Sequence, residues 1–419
     1  MIHCLVSRSF SIAASLHRVG SCGTLQPQPT AEINALSQKG FGYAVFASIL
    51  EAAEVWNQVA PADNQYFNIP FLQAIEAYPP EGMEFRYLVF YRQGAPIGIA
   101  VCQLIRFDTR QQLNWLKENR QFPLKKWVAR FFNFKMLVCG TVQATGEHGF
   151  YFPDPEPATS DLLLEALEKE AARLNVKAVL IKDVQPEQEG LGQKAAMAGY
   201  STFCFQPNMV LKTADHWGAM EDYLEDLSAK YRVRYRRAQK KLAPLKRMEL
   251  SLSQIQVLKT RIHNLYRQQA EKADFNLVSL HPEYWEGLKM ALKGDFRVWA
   301  YFDRDEMVGF YTAIQHGEIL EAHFLGYNEE QNREHQLYLN ILYDLAQEAI
   351  ECGAKKLVFA RPALEIKSSI GARPEWLSCY IRHKNPLTNY LLPRLIRFLE
   401  PTSEWTPRNP FKAEEHRVE

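Results

Sequence analysis

Between Glu318 and Gly371 the apolar positions change period twice. Over Glu318 to Leu325 a strand is predicted, with Ile319, Glu321, His323 and Leu325 on one face and Leu320, Ala322 and Phe324 on the other. After a polar turn, Tyr338, Ile341, Leu342, Leu345 and Ala349 recur at the spacing of a buried helical stripe opposite Asn340, Asp344, Gln347, Glu348 and Glu351. This predicts a helix over His335 to Cys352. Gly353 stops it where glycine takes a left-handed cap without strain, and Leu357, Val358 and Phe359 open a strand over Lys355 to Ala360. The three elements make a strand–helix–strand unit of parallel type.

The rest of the chain supplies two similar series. In the first, helices Ala47 to Gln58 and Asn68 to Tyr78 precede a hairpin of Phe85 to Arg92 with Ile97 to Phe107, and Met136 to Gln143 resumes the strands. A helix Ser160 to Leu174, a strand Val176 to Lys182, a helix Glu187 to Ala198 and a strand Thr202 to Lys212 follow. In the second, helices Trp217 to Leu227, Lys230 to Leu242, Ser253 to Lys272 and Pro282 to Leu292 lead to strands Phe296 to Phe302 and Met307 to Gln315. The hairpin from Arg86 recurs from Phe296 and the late glycine Gly199 recurs as Gly371, so the order reads as two copies of one α/β unit, divided near Asp215. The expected division is 1–40 as a disordered or extra segment, 41–214 and 215–384 as the two units, and 385–419 as an extended tail.

A chain of 419 residues exceeds one ordinary core, and its near-neutral charge leaves no global pull toward DNA or acidic membranes. The seven cysteines have no metal-ligand spacing, which fits reduced packing residues in a cytoplasmic protein without a metal. No run approaches the roughly 20 apolar residues of a membrane span. No acid precedes Glu32, which suits either an organelle transit peptide or a disordered tail. The insertion 108–135 mixes Trp115, Trp127, Phe131 and Phe132 with Lys125, Lys126 and Arg130. Such a segment packs its rings on the domain or makes peripheral membrane contact.

One basic run stands out over 230–247. Arg234, Arg237 and Lys241 flank a stripe of Tyr231, Tyr235, Ala238 and Leu242, giving either a solvated face or a site for the phosphates of a coenzyme or an RNA. In the opening unit, Glu321 is a candidate general base with His323 as its orienter, Tyr338 a proton donor, and Lys367 or Arg361 a stabiliser of negative charge. Each has an ordinary structural alternative: a paired carboxylate, a core histidine, a buried ring, a cap. Gly190, Gly192 and Ala195 match a dinucleotide glycine spacing, but they follow a long loop and read as a helix start.

Several stretches together carry a family resemblance. The basic helix from Lys230 to Arg237, the run His323-Phe-Leu-Gly-Tyr327, Leu337-Tyr-Leu339, Glu365-Ile-Lys-Ser-Ser-Ile-Gly371 and Trp405-Thr-Pro-Arg-Asn-Pro-Phe411 resemble GNAT-type proteins related to the FemAB peptidoglycan acyltransferases. The resemblance implies tandem duplicated GNAT-like (acyl-CoA N-acyltransferase) domains with mixed, mainly antiparallel sheets. It also implies transfer of an acyl or aminoacyl group to an amine, with acyl-CoA or aminoacyl-tRNA as donor and a cell-wall precursor among the acceptors. Lys367 matches the lysine of the family's lysine-and-glycine segment and would stabilise an oxyanion. The turn after Gly326 lacks the glycine-rich pyrophosphate loop, and Glu329 and Glu330 oppose an anion at that helix start. A binding module without catalysis, holding a cell-wall precursor, a lipid-linked sugar or RNA, is the alternative.

Overall fold

Tyr87, Val89, Ile99 and Val101 bury one face of a hairpin, and Leu88, Phe90, Ala100 and Cys102 bury the other, so this hairpin must lie between two apolar layers. The computed structural model describes residues 33–37, 40–108, 133–185, 189–204, 206–273, 277, 279–399 and 405–412. The elements of the first part are β1 (Asn34–Ala35), β2 (Phe41–Phe46), α1 (Ile49–Trp56), α2 (Ile69–Ala77), β3 (Glu84–Arg92), β4 (Ala95–Asp108), β5 (Asn133–Cys139), β6 (Phe150–Tyr151), α3 (Pro157–Arg173), β7 (Ala178–Val184), α4 (Glu189–Met197), β8 (Ser201–Phe203) and β9 (Asn208–Lys212). Those of the second are α5 (Met220–Asp226), α6 (Ala229–Leu242), β10 (Lys246–Glu249), α7 (Leu252–Ala270), α8 (Tyr284–Leu292), β11 (Phe296–Asp303), β12 (Glu306–His316) and β13 (Ile319–Tyr327). They continue with α9 (Glu329–His335), α10 (Leu337–Glu351), β14 (Lys356–Val358), α11 (Leu364–Ser368), β15 (Arg373–Glu375), β16 (Ser378–His383) and α12 (Pro386–Leu399).

Two mixed sheets result. The first runs β1-β2-β3-β4-β5-β7-β16-β8, with β6 beside β4, and the second runs β10-β11-β12-β13-β14-β9-β15. Each has one parallel pair, β5 with β7 and β13 with β14, among otherwise antiparallel neighbours. The outer face of the first sheet is covered by α3 and α4 through Leu163, Leu167 and Leu191, and that of the second by α5, α6 and α10 through Tyr223, Leu242 and Leu342. The inner faces share one core with α1, α2, α7 and α8 between them, where Trp56 and Phe71 meet Trp285 and Phe310. Each such fully buried ring contributes about 2–3 kcal/mol.

The expected mixed, mainly antiparallel α/β architecture in tandem is what forms. Its division at 214/215 is crossed twice. The expected strand Thr202 to Lys212 is broken, with β8 staying in the first sheet and β9 pairing β14 and β15 of the second. In return β16, late in the chain, pairs β7 and β8 of the first. The tail 385–419 is not extended throughout: α12 occupies Pro386–Leu399, and Trp405 to Lys412 then runs along the second sheet, with Phe411 bridging to Leu227. The basic run is not one helix to Arg247, because α6 ends at Leu242 and Lys246–Glu249 joins β11 as an edge strand. Within 1–40, Asn34 and Ala35 pair with Tyr43 and Gly42; the transit-peptide reading falls on residues outside the described ones, as does the insertion between 109 and 132. Among the described residues no helix is long and apolar enough to cross a membrane.

Candidate functional site

The second parallel pair is short. Ile319, Leu320 and Glu321 of β13 oppose Lys356, Leu357 and Val358 of β14, and there β14 ends while β13 continues to Tyr327. After Val358 the chain parts from β13 but stays with β9, Phe359 N–H donating to Met209 O at 2.8 Å and Met209 N–H to Ala360 O at 3.3 Å, while Lys367 Nζ gathers the carbonyls of Phe359, Ala360 and Arg361 at 2.8, 3.0 and 3.2 Å. Beyond Glu321 no strand pairs with that edge of β13 among the described residues.

The expected alternation along β13 holds only as far as His323. A bulge opposite Thr312, whose hydroxyl donates to Phe324 O and accepts from Phe324 N–H, shifts the phase. Phe324 therefore packs in the inner core and Leu325 in the outer one, the reverse of the expected faces.

Glu321 is 2% exposed and points to the inner side. Its Oε2 lies 3.4 Å from His316 Nε2 and 3.7 Å from His148 Nε2, and neither nitrogen has an aligned hydrogen-bond partner. Tyr66 stacks on His148 at 3.8 Å between centroids and meets His316 edge-on, its hydroxyl also unpartnered. Burial pushes the Glu321 carboxyl up, but the two imidazoles beside it outweigh burial and hold it below the usual carboxylate range. Burial is the larger effect on His148, which lies below its ordinary value.

His148 comes from the loop after β5 in the first sheet. Lys182 donates to Ala144 O at 2.6 Å, and Gly146 N–H donates to Asp183 at 3.1 Å, pinning that loop. Gly146 has φ +137, and a Cβ on it would stand 2.8 Å from His148 Nε2, so only glycine leaves the ring its place. Asn64 donates to His148 Nδ1 at 3.4 Å, which leaves the proton of the neutral ring on Nε2, toward Glu321. His316 makes no hydrogen bond to a described residue at either nitrogen.

These residues close one end of a cleft of about 950 Å³ between the two sheets. Thr145 to His148, Gln185 and the starts of α3 and α4 form one wall; His316 to Ile319, Lys355, Lys356 and Val358 form the other. The cleft reaches Glu321 along the paired half of β13 and β14, and the parted edge of β13 begins on its far side.

The other candidates fall elsewhere. His323 Nε2 shares a hydrogen bond with Tyr284 Oη at 2.8 Å, and the ring is a neutral core histidine, pushed down to about 4 by burial. It does not orient Glu321; His148 and His316 take that place. Lys367 is not a free cation for an oxyanion. Burial pushes it down to about 7, while its three carbonyls favour the charged form, so it clamps the turn after β14. Arg361 is bound to Asp183 at 2.7 Å and Gln206 O at 2.8 Å, tying the two sheets together; against burial, Lys182 and then Arg361 hold Asp183 down to about 2. Tyr338 packs near Tyr327 at the start of α10 with its hydroxyl pushed up by burial, and it is no part of the cleft. Arg234, Arg237 and Lys241 lie on α6, over the sheet face that Leu320 enters, opposite Glu321.

His148 and His316 were not legible as partners. His148 sits in a loop remote in sequence. His316 carried a usable signal: the tight Gly317-Glu318 turn pairs it with Ile319, so it is the diagonal neighbour of Glu321 on one face. At the start of α9, Asn328 Oδ1 takes the N–H groups of Glu330 and Gln331, and the two glutamates stand beside them, so this helix end is closed to a pyrophosphate. Among the described residues no group of three His, Cys, Asp or Glu side chains is arranged to hold a metal ion.

Residues 229–368 match the family described as the acetyltransferase (GNAT) domain. Among solved structures the chain is similar to FemX, with TM-score 0.50, 12% identity, and 83% of this chain and 98% of that one covered. It is also similar to a tandem GNAT protein from the clavulanic acid biosynthesis pathway, with TM-score 0.49, 10% identity and 83% and 99% covered. No curated protein matches the sequence. The region from α6 to α11 thus matches the GNAT domain, and the whole chain shares its two-sheet α/β fold with FemX.

Proposed function

We propose that the protein is an N-acyltransferase that moves an acyl or aminoacyl group from an activated donor to an amine, with the chemistry at Glu321. The observation that carries this reading is the position of Glu321. It stands where β13 and β14 part and where the cleft between the sheets ends, so a donor along the free edge of β13 and an amine in the cleft would meet beside one carboxylate.

The roles differ from those read in the sequence. A carboxylate held below its usual range is a poor resting place for a proton but a good partner for an imidazolium. His316, with Nε2 toward Glu321, takes the proton of the incoming ammonium at Nδ1. The amine nitrogen then bonds to the acyl carbon, the imidazolium returns its proton to the donor's thiolate or ribose oxygen as the C–S or C–O bond breaks, and the second proton on nitrogen is released to water, leaving the amide and the free donor. N–H groups on the unpaired edge of β13 stabilise the oxyanion in place of Lys367 and Arg361. Acyl-CoA and aminoacyl-tRNA are the two donors to try, and an amino group of a cell-wall precursor is one acceptor of the right class.

Purified protein incubated with acetyl-CoA or aminoacyl-tRNA and a panel of primary amines should give an amide product. His316→Gln and Glu321→Gln should each lower kcat by about 10²- to 10⁴-fold with little change in melting temperature. Saturable binding without turnover of either donor would refute the reading in favour of a binding module, and unchanged kcat in both variants would move the chemistry elsewhere.

A further inference from the structure

The walls of the cleft are charged unevenly. Asp63, Glu147, Glu318 and Glu375 line it together with Glu321, against two lysines, Lys356 and Lys355, the latter reaching away to Asp215 at 2.8 Å. Glu147 accepts from Gln185 N–H at 3.1 Å, and Glu156, also at the wall, is paired with Arg92 at 2.5 Å. Buried polar groups at the same walls lack partners: Nε2 of His148 and of His316, and Oδ1 of Asn208, whose residues are 5%, 7% and 5% exposed. Like charges gathered between low-dielectric walls repel one another and focus a negative potential into the space, and the buried, unpartnered Oδ1 of Asn208 is an acceptor that an ammonium can satisfy.

We infer that this cleft takes an elongated polycation, a diamine or polyamine, with one amino group at Glu321 and His316 and the further ammonium groups against Asp63, Glu318 and Glu375. A monoamine would compensate only the carboxylate at the cleft's end, whereas a chain with charges spaced along it meets the outer ones too. The same field keeps the phosphates of a donor out of the cleft and on the far side of Glu321. The inference rests on the acyl-transfer reading only in naming the amine at Glu321 as the one that reacts.

Calorimetric titration of the full chain tests it without requiring turnover. Spermidine and putrescine should bind saturably, 1,4-butanediol should not, and coenzyme A should not compete. Raising NaCl from about 50 to about 500 mM should weaken spermidine about 10-fold or more, because the attraction is screened. The double variant Glu318→Gln, Glu375→Gln, with an unchanged melting curve, should weaken it to a similar degree. Absence of saturable binding by either polycation, or an affinity indifferent to both salt and the double substitution, overturns the inference. Polycation binding with no transfer from any donor supports the cleft's specificity while refuting the enzyme, and transfer to a neutral or anionic amine without polycation binding does the reverse.

Discussion

Replacing Lys367 by methionine separates a structural lysine from a chemical one. The side chain is buried, and its ammonium serves three carbonyls of the segment that parts from β13 after Val358. Ala360 O keeps a second partner in Met209 N–H, but Phe359 O and Arg361 O have no other hydrogen bond within the described chain. Two buried carbonyls left unmatched cost about 1–3 kcal/mol each, partly offset because no charge need then be buried, for a net loss of about 3 kcal/mol. For a body of about 400 residues that is a fall in Tm of about 3–4 °C, measured by circular dichroism at neutral pH. A residual folded fraction at low temperature should keep measurable turnover. A Tm within about 2 °C of the parent together with abolished turnover would refute the reasoning and return Lys367 to the reaction centre.

Two further outcomes follow from the same geometry. His323 is held down to about 4 against about 6.5 when unfolded, so between those values the unfolded chain binds a proton that the folded one does not. Stability should be complete above about pH 6.5 and fall by about 3 kcal/mol as pH drops to 4, and His323→Gln should flatten that part of a urea-midpoint profile. Gly326→Ala would put a Cβ 2.5 Å from the Leu265 carbonyl carbon, where α7 crosses β13, and backbone cannot yield as a side chain does. A loss of about 2–3 kcal/mol in chemical denaturation is expected, and none would mean that α7 stands farther off.

How far the sequence could be read depended on the range over which each signal acts. The period of Tyr338, Ile341, Leu342 and Leu345 located α10, and the parallel pair around it followed, because such patterns are local. Glu321 stands out as a candidate because an ionisable side chain in an apolar strand is conspicuous. Its partners were not, since His148 arrives from the other sheet through a loop whose course is set by Asp183 and Lys182. Lys367 and Arg361 were misjudged for the same reason. A lone cation near strand ends suggests an anion, but both had already found backbone carbonyls or a carboxylate that only folding brings near. The phase shift at Phe324 depends on a single threonine hydroxyl in the neighbouring strand, which no periodicity reveals.

The traded strands β9 and β16 bear on how a substrate can enter. Because each sheet is completed by a piece of chain from the other half, no cut near Asp215 yields two self-sufficient fragments, and the halves cannot swing apart about one connecting segment. The jaws on either side of Glu321 are in effect riveted together. On the proposed reading an amine would enter a cleft whose walls are already fixed, so its selection would rest on the shape and charge of that cleft instead of on a closing motion.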